Sequence, residues 1–269
     1  MGQELKTNSL LAPDEPPAYE ITRGDGDSPY LVISDHASRR LPRSLGNLGV
    51  SEADLASHIA WDLGIVGVAR QLAQSLNAFF IFQNYSRLVI DCNRPLSAPD
   101  SIAQKSAGVD IPGNQGLSDA DRELRVACVF RPYHDQIQTE IDRRERAGLQ
   151  TILVSMHSFT PVFMGTARPW HVGVLYNREK RVALPLLQLL RSDVSLVVGD
   201  NQPYAVSDTS DYSIVVYGER RGVPHVEIEI RQDLICEAQL QGAWAERLVT
   251  LLLQATESLR QKPREDTAR

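Results

Sequence analysis

Apolar residues in this chain fall into short runs separated by longer stretches of helical periodicity. The runs Tyr30–Ser34, Phe79–Gln83, Leu88–Cys92, Thr151–Met156, Val172–Tyr176, Leu196–Gly199 and Val226–Ile230 each read as a β-strand. Between them, apolar spacing predicts helices at Ser51–Ile59 with Ser51 as N-cap, at Leu63–Leu76, along a stretch Ser118–Ala147, at Glu179–Leu190 and at Leu234–Leu259. Most of the strand runs are apolar without alternation. That implies cover on both faces, as in a mainly parallel sheet with helices on either side, so the fold class is an α/β sandwich. Asp211–Arg221 suits either element. Its apolar Ile-Val-Val-Tyr favours a strand, whereas Asp208 to Asp211 followed by Gly222 suits a capped helix, the reading adopted here.

The stretch to about Asp27 carries prolines and acidic residues and reads as a surface arm (1–27). A single α/β domain then fills 28–260, and 261–269 reads as a polar tail. A hydrophobic content of 42% against 23% charged residues excludes a disordered or fibrous chain. The net charge of -6 argues against nucleic acid as a partner, because phosphate binding needs clustered Lys and Arg, but it leaves a small anionic substrate open. No apolar run approaches the roughly 20 residues of a membrane span, and the N-terminus lacks the apolar stretch of a signal peptide. The expectation is a cytoplasmic protein with no membrane partner and an open oligomeric state. Cys92, Cys128 and Cys236 are scattered without C-x-x-C spacing, so neither a disulfide framework nor a cysteine metal site is indicated.

In sheets of this kind, ligands bind outside the carboxyl ends of the strands, so polar residues directly after an apolar run are the first suspects. His36 follows Tyr-Leu-Val-Ile-Ser-Asp and His157 follows Thr-Ile-Leu-Val-Ser-Met, which places both at one rim and suggests two ligands of a zinc site. A third ligand is offered by His58 or by Asp62, four residues apart. Asp62 is preferred, against the alternative that it merely caps the following helix. A second cluster runs Arg87-Leu-Val-Ile-Asp91-Cys-Asn93-Arg94. Read as a strand, it puts Arg87 and Asp91 on one face, either as a sheet-bracing ion pair or beside Asn93 and Arg94 as a clamp for a substrate carboxylate. The third is Glu227-Ile-Glu229-Ile-Arg231, with both acids and the arginine on one side of a strand. A glutamate there can act as proton carrier beside zinc, or the strand is an edge with a solvated charged face. The chain has no G-x-S-x-G, no G-x-x-x-x-G-K-[ST] and no H-E-x-x-H, and Gly24-Asp-Gly26 precedes a strand and reads as a turn.

These segments, in this order and together with Ser158-Phe-Thr160-Pro161 and Asn201-Gln-Pro203-Tyr204, resemble the N-formylglutamate amidohydrolase family over about Leu31 to Leu234. The resemblance implies a three-layer, zinc-peptidase-like α/β/α sandwich with a mixed sheet, a Zn2+ cofactor, and hydrolysis of the N-formyl or short N-acyl amide of an acidic amino acid. Asp91-Cys-Asn93-Arg94 is also similar to the Asp-Leu-Asn-Arg string of aspartoacylases, where Asn and Arg hold substrate. On that footing zinc sits on His36, His157 and Asp62. Glu229 is the general base, Arg87 stabilises the oxyanion, and Asp91, Asn93, Arg94 and Arg231 surround the substrate. The His-x-x-Glu ligand pair of zinc carboxypeptidases would put Glu at position 39, where this chain has Arg39. The competing expectations are a related zinc deacylase or carboxypeptidase with another substrate, and a metal-free anion-binding module of the same fold. His134 is read as a packing residue, and His171 and His225 as peripheral.

Overall fold

Seven strands form one mixed sheet in the computed structural model, which describes residues 9–22 and 28–260. In chain order they are β1 (Tyr19–Thr22), β2 (Tyr30–Ser34), β3 (Phe79–Gln83), β4 (Ile152–Phe159), β5 (Val172–Leu175), β6 (Val198–Asp200) and β7 (His225–Arg231). Their spatial order is β1-β3-β2-β4-β7-β5-β6. The ladders β3–β2, β2–β4, β4–β7 and β5–β6 are parallel, whereas β1–β3 and β7–β5 are antiparallel. The mixed, mainly parallel sheet of the sequence reading is therefore present.

Residue parity along each strand assigns its two faces. Val32, Phe80, Val154, Val174, Val226, Ile228 and Ile230 pack under α2 (Ile65–Ser75), α5 (Ala183–Arg191) and α6 (Ala238–Ala255), where α1 is the short turn Glu52–Leu55. Leu31, Ile33, Ile81, Leu153 and Leu175 face the other way, against α3 (Asp119–Arg125), α4 (Arg131–Arg146) and the helical turn Ile214–Glu219. A terminal turn α7 (Glu257–Arg260) follows α6. The result is a three-layer α/β/α sandwich whose central strands are buried on both faces, which is why the sequence showed apolar runs rather than alternation.

Three local readings differ from the structure, and the helical reading of Asp211–Arg221 holds. The apolar run 88–92 is not a strand. Its amides turn to nearby loop groups, Val89 N–H to the Ser86 carbonyl and Asp91 N–H to the Ser101 carbonyl, and the segment is buried because it crosses the top of the sheet. The proposed arm contributes β1, antiparallel to β3, whose mixed polarity and four-residue length concealed it. The long helix of 118–147 is divided by a wider turn over Val126–Phe130, where Arg131 N–H reaches back to the Val126 carbonyl just before Pro132, which has no N–H to donate. Asp211–Arg221 is helical at Ile214–Glu219. The Gly24–Gly26 turn and the 261–269 tail lie outside the described residues. Among the described residues no helix is long and apolar enough to cross a membrane.

Candidate metal and substrate site

The carboxyl ends of β2, β4 and β7 open into a cavity of about 460 Å³, within the usual range for small-molecule sites. His36 follows β2 directly. His157 lies within β4 on the face shared by Leu153 and Ser155, and the parallel register puts Glu229 of β7 beside it and Glu227 beside Ser155. Asp62 arrives from the segment ahead of α2, where its N–H donates to the His36 carbonyl (2.9 Å) and its carboxylate turns into the cavity.

His36, Asp62 and His157 are all buried, and one ligand atom from each lies within 4.8 Å of the others. Asp62 Oδ2 is 2.9 Å from His157 Nδ1 and 3.5 Å from His36 Nδ1. The opposite edges of both rings are held. His36 Nε2 lies 2.7 Å from Asp91 Oδ1, and because an ionised carboxylate only accepts, this contact places a proton on Nε2 and leaves Nδ1, which faces Asp62, as the nitrogen a metal would use. His157 Nε2 lies 3.0 Å from Ser155 Oγ, with Asp35 Oδ2 at 3.7 Å and Glu227 Oε2 at 4.0 Å. Burial and Arg87 press His36 toward neutrality, but Asp91 and Asp62 outweigh them and raise its pKa. Burial likewise opposes charge on His157, yet Glu227, Asp35 and Asp62 hold its pKa well above the ordinary value. This surplus of buried carboxylate around two imidazoles fits a divalent cation, which displaces ring protons as it binds.

Asp91 is saturated. Its Oδ1 accepts from His36 Nε2 and Asn93 N–H (2.8 Å), and its Oδ2 accepts from Arg87 Nε (3.0 Å) and Nη2 (2.6 Å). Burial would raise its pKa, but Arg87 and His36 hold it well below the usual carboxylate range. It lines the cavity, yet these bonds leave it orienting His36 and Arg87 rather than holding an anion, which no carboxylate does well. Arg87 also approaches Asp62 Oδ1 at 3.8 Å. Asn93 Oδ1 accepts from Tyr212 N–H and Ser213 N–H at 3.1 Å each, so its amide nitrogen is the group it can offer an anion. Arg94 lines the cavity and is tied to Asp100 (3.1 Å) and to the Ser210 carbonyl (2.5 Å).

Arg231 departs from its expected place around the substrate. At the end of β7 it is bidentate to Asp233 and donates from Nη1 to the carbonyls of Arg168, Pro169 and Trp170 at 3.3–3.4 Å, and it does not line the cavity. The strand ends at this residue, so side-chain parity no longer holds it on the site face. Glu227 and Glu229 do face the cavity, and burial pushes each carboxyl up to about 8. In both, Oε2 lacks a hydrogen-bond partner. Opposite Glu229, β5 carries Gly173, where a Cβ would meet the Gln202 carbonyl at 2.1 Å, so only glycine lets the 201–204 segment lie across the strand.

Several site residues were not assigned roles from sequence. Asp35 sits behind His157 and was legible only as the neighbour of His36. Asp100, Ala103, Lys105 and Ser106 line the cavity from the loop that follows Arg94, and none of them was singled out from the sequence. His58 also lines it, packed edge-on to Phe163 and outside the metal triad, with burial and then Arg168 and Arg87 lowering its pKa. Arg39 is exposed and takes no part. His134 is a packing residue, clasped between Phe130, Tyr133, Tyr212 and Tyr217, with Nε2 at 2.9 Å from the Cys92 carbonyl.

Known proteins resemble this chain in sequence and in fold. Over 145 residues the chain is 30% identical to N-formylglutamate deformylase of Pseudomonas putida, a match that covers 49% of this chain and 52% of that one, so the chain spans about half the length of this curated relative. A solved gene product of Agrobacterium tumefaciens superposes with a TM-score of 0.89 at 35% identity, covering 94% of this chain and 100% of that one. N-formylglutamate amidohydrolase from Ralstonia eutropha JMP134 superposes with a TM-score of 0.62 at 18% identity, over 91% of this chain and 99% of that one, a likeness of fold. The profile of the N-formylglutamate amidohydrolase family matches residues 28–236, which includes every candidate site residue, and the chain belongs to that family.

Proposed function

We propose that this protein is a metal-dependent amidohydrolase that cleaves the N-formyl, or another short N-acyl, amide of an acidic amino acid such as N-formylglutamate. The observation that carries this reading is the convergence of His36, Asp62 and His157 beside Glu229 in one buried cavity. A divalent cation such as zinc, held by those three residues, supplies Lewis acidity that polarises a carbonyl and makes water nucleophilic near neutral pH.

The chain's own groups supply the rest. Asp91 fixes the His36 ring and the Arg87 guanidinium in one stroke. Glu229 takes a proton from the attacking water and returns it to the departing amine, and burial has moved its carboxyl toward the neutral range where both transfers are efficient. Arg87 faces the oxygen on which negative charge develops. Family membership supports amide hydrolysis, and the arginines around the cavity support an anionic substrate.

The test is elemental analysis of the purified protein together with formate release from N-formylglutamate. The expected result is about one zinc per chain and steady turnover, with both lost in the His36→Ala, His157→Ala double variant. Absence of metal after incubation with zinc, with turnover no faster than in the double variant, would leave a metal-free binding module as the better account.

A further inference from the structure

The cations at this cavity differ in one respect. Arg87 is paired with Asp91 and Asp62, Arg94 with Asp100, and Lys105 with Asp110. Arg168 does not line the cavity itself but stands behind Phe163 and Tyr204, near enough to act electrostatically on Glu229 and His58, with no carboxylate in ion-pair reach among the described residues. It is nonetheless fixed in place. Its guanidinium carbon lies 4.6 Å from the Phe163 ring centroid and 4.7 Å from that of Tyr204, both cavity residues, and its Nη1 donates to the Tyr204 hydroxyl at 2.8 Å. Its backbone is pinned as well, since its N–H donates to the Pro161 carbonyl and its carbonyl accepts from Arg231.

A half-buried guanidinium clamped between two aromatic faces has lost much of its rotamer freedom before any ligand arrives, and its planar fork is suited to a carboxylate. Arg87 reaches Asp62 of the triad at 3.8 Å, whereas among the described residues Arg168 has no hydrogen bond or ion pair to the triad and is joined to the site through Phe163 and Tyr204, which suits it to a ligand group farther from the metal than the one Arg87 meets. We propose that Arg168 is a specificity-determining residue that receives the substrate carboxylate farthest from the scissile bond, with Tyr204 and Phe163 holding its guanidinium in position. This rests on the amidohydrolase reading above and assigns its preference for acidic side chains to one side chain.

The experiment compares N-formylglutamate with N-formylglutamine, which replaces only the remote carboxylate by an amide, in wild-type, Arg168→Gln, Arg168→Lys and Tyr204→Phe proteins, each checked for metal content and thermal unfolding. Wild type is expected to favour the acid by about 10²-fold in kcat/KM, the scale of a charge-assisted bidentate contact. Arg168→Gln should erase that preference through KM for the acid while leaving the amide substrate nearly unchanged. Arg168→Lys, which keeps the charge without the stacked plane, should retain part of it, and Tyr204→Phe should raise KM for the acid a few-fold, roughly one neutral hydrogen bond. An undiminished preference in Arg168→Gln, or an equal loss on both substrates, overturns the assignment while the amidohydrolase reading stands. Failure of metal-loaded wild type to hydrolyse either substrate removes that reading and this proposal with it.

Discussion

The two walls of the cavity are built on opposite principles. On the side of the 86–94 segment, every bonding site of Asp91 is used, Arg87 and His36 are locked to it, and Asn93 accepts from the Tyr212 and Ser213 amides ahead of the Ile214–Glu219 turn. On the side of β7, Glu227 and Glu229 each keep a buried carboxyl oxygen with no hydrogen-bond partner among the described residues, and Arg168, which acts electrostatically on Glu229, has no carboxylate in ion-pair reach among them. The first wall is an internal scaffold, and its removal should be felt in stability and metal affinity. The second is held in tension, and its removal should be felt in turnover while the fold is spared. Satisfied polar networks position a site, and unsatisfied ones are where a substrate or a proton can enter.

The strongest way to break the comparison is Glu229→Gln. It should lower kcat by about 10² or more, the scale of a lost general base, with metal content unchanged. In chelator-treated protein it should be no less stable than wild type at pH 7. The Glu229 carboxyl stands at about 8 in the fold against 4.5 in an ordinary setting, so the Glu229 contribution to wild-type stability is fully present below about pH 4.5 and is lost as pH rises toward 8. A variant with unimpaired turnover would remove Glu229 from the mechanism.

Next in size, Asp91→Ala should destabilise the protein by about 3 kcal/mol, since it strands a buried guanidinium, and weaken metal binding by about 10- to 100-fold, since it frees the His36 ring. Denaturant unfolding and competitive metal titration measure the two effects. A stable variant with normal metal affinity would mean that the saturated wall is not a scaffold.

The mildest test probes the support beneath that wall. His134 holds the Cys92 carbonyl next to Asp91, and burial depresses its pKa to about 4. As pH falls from about 6.5 to 4, the unfolded chain takes up a proton that the folded His134 refuses. Stability should therefore decline over that window by up to about 3 kcal/mol and then level off in this component. The same titration of a His134→Gln variant should show a shallower slope across that window, and an identical slope would exclude His134 as its source.

How far the sequence foretold all this depended on what each local pattern reports. His36 and His157 were visible because an apolar run that ends in histidine marks a strand tip, and Glu227 and Glu229 were visible because strand parity set them against Val226, Ile228 and Ile230. The same rule failed at residues 88–92. Burial by a crossing loop and burial in a sheet produce the same apolar run, and only the destination of the backbone amides separates them. Arg231 shared the parity of its neighbours but stood where the strand ends, so its donors turned to Asp233 and the 168–170 carbonyls. Arg168 carried no signal at all, because an arginine between aromatic rings is assembled from Phe163 and Tyr204, far apart in the chain.

The register that sets Glu229 against His157 on one side and Gly173 on the other has a mechanical consequence. The proposed proton carrier and a metal-ligand candidate are rungs of the same central ladder, so their separation can change only if the middle of the sheet shears, while Arg168 is held by contacts of its own outside that ladder. Hydrogen exchange should accordingly find the two central strands among the slowest-exchanging segments of the molecule, which means that substrate preference can be altered around Arg168 without retuning the reactive centre.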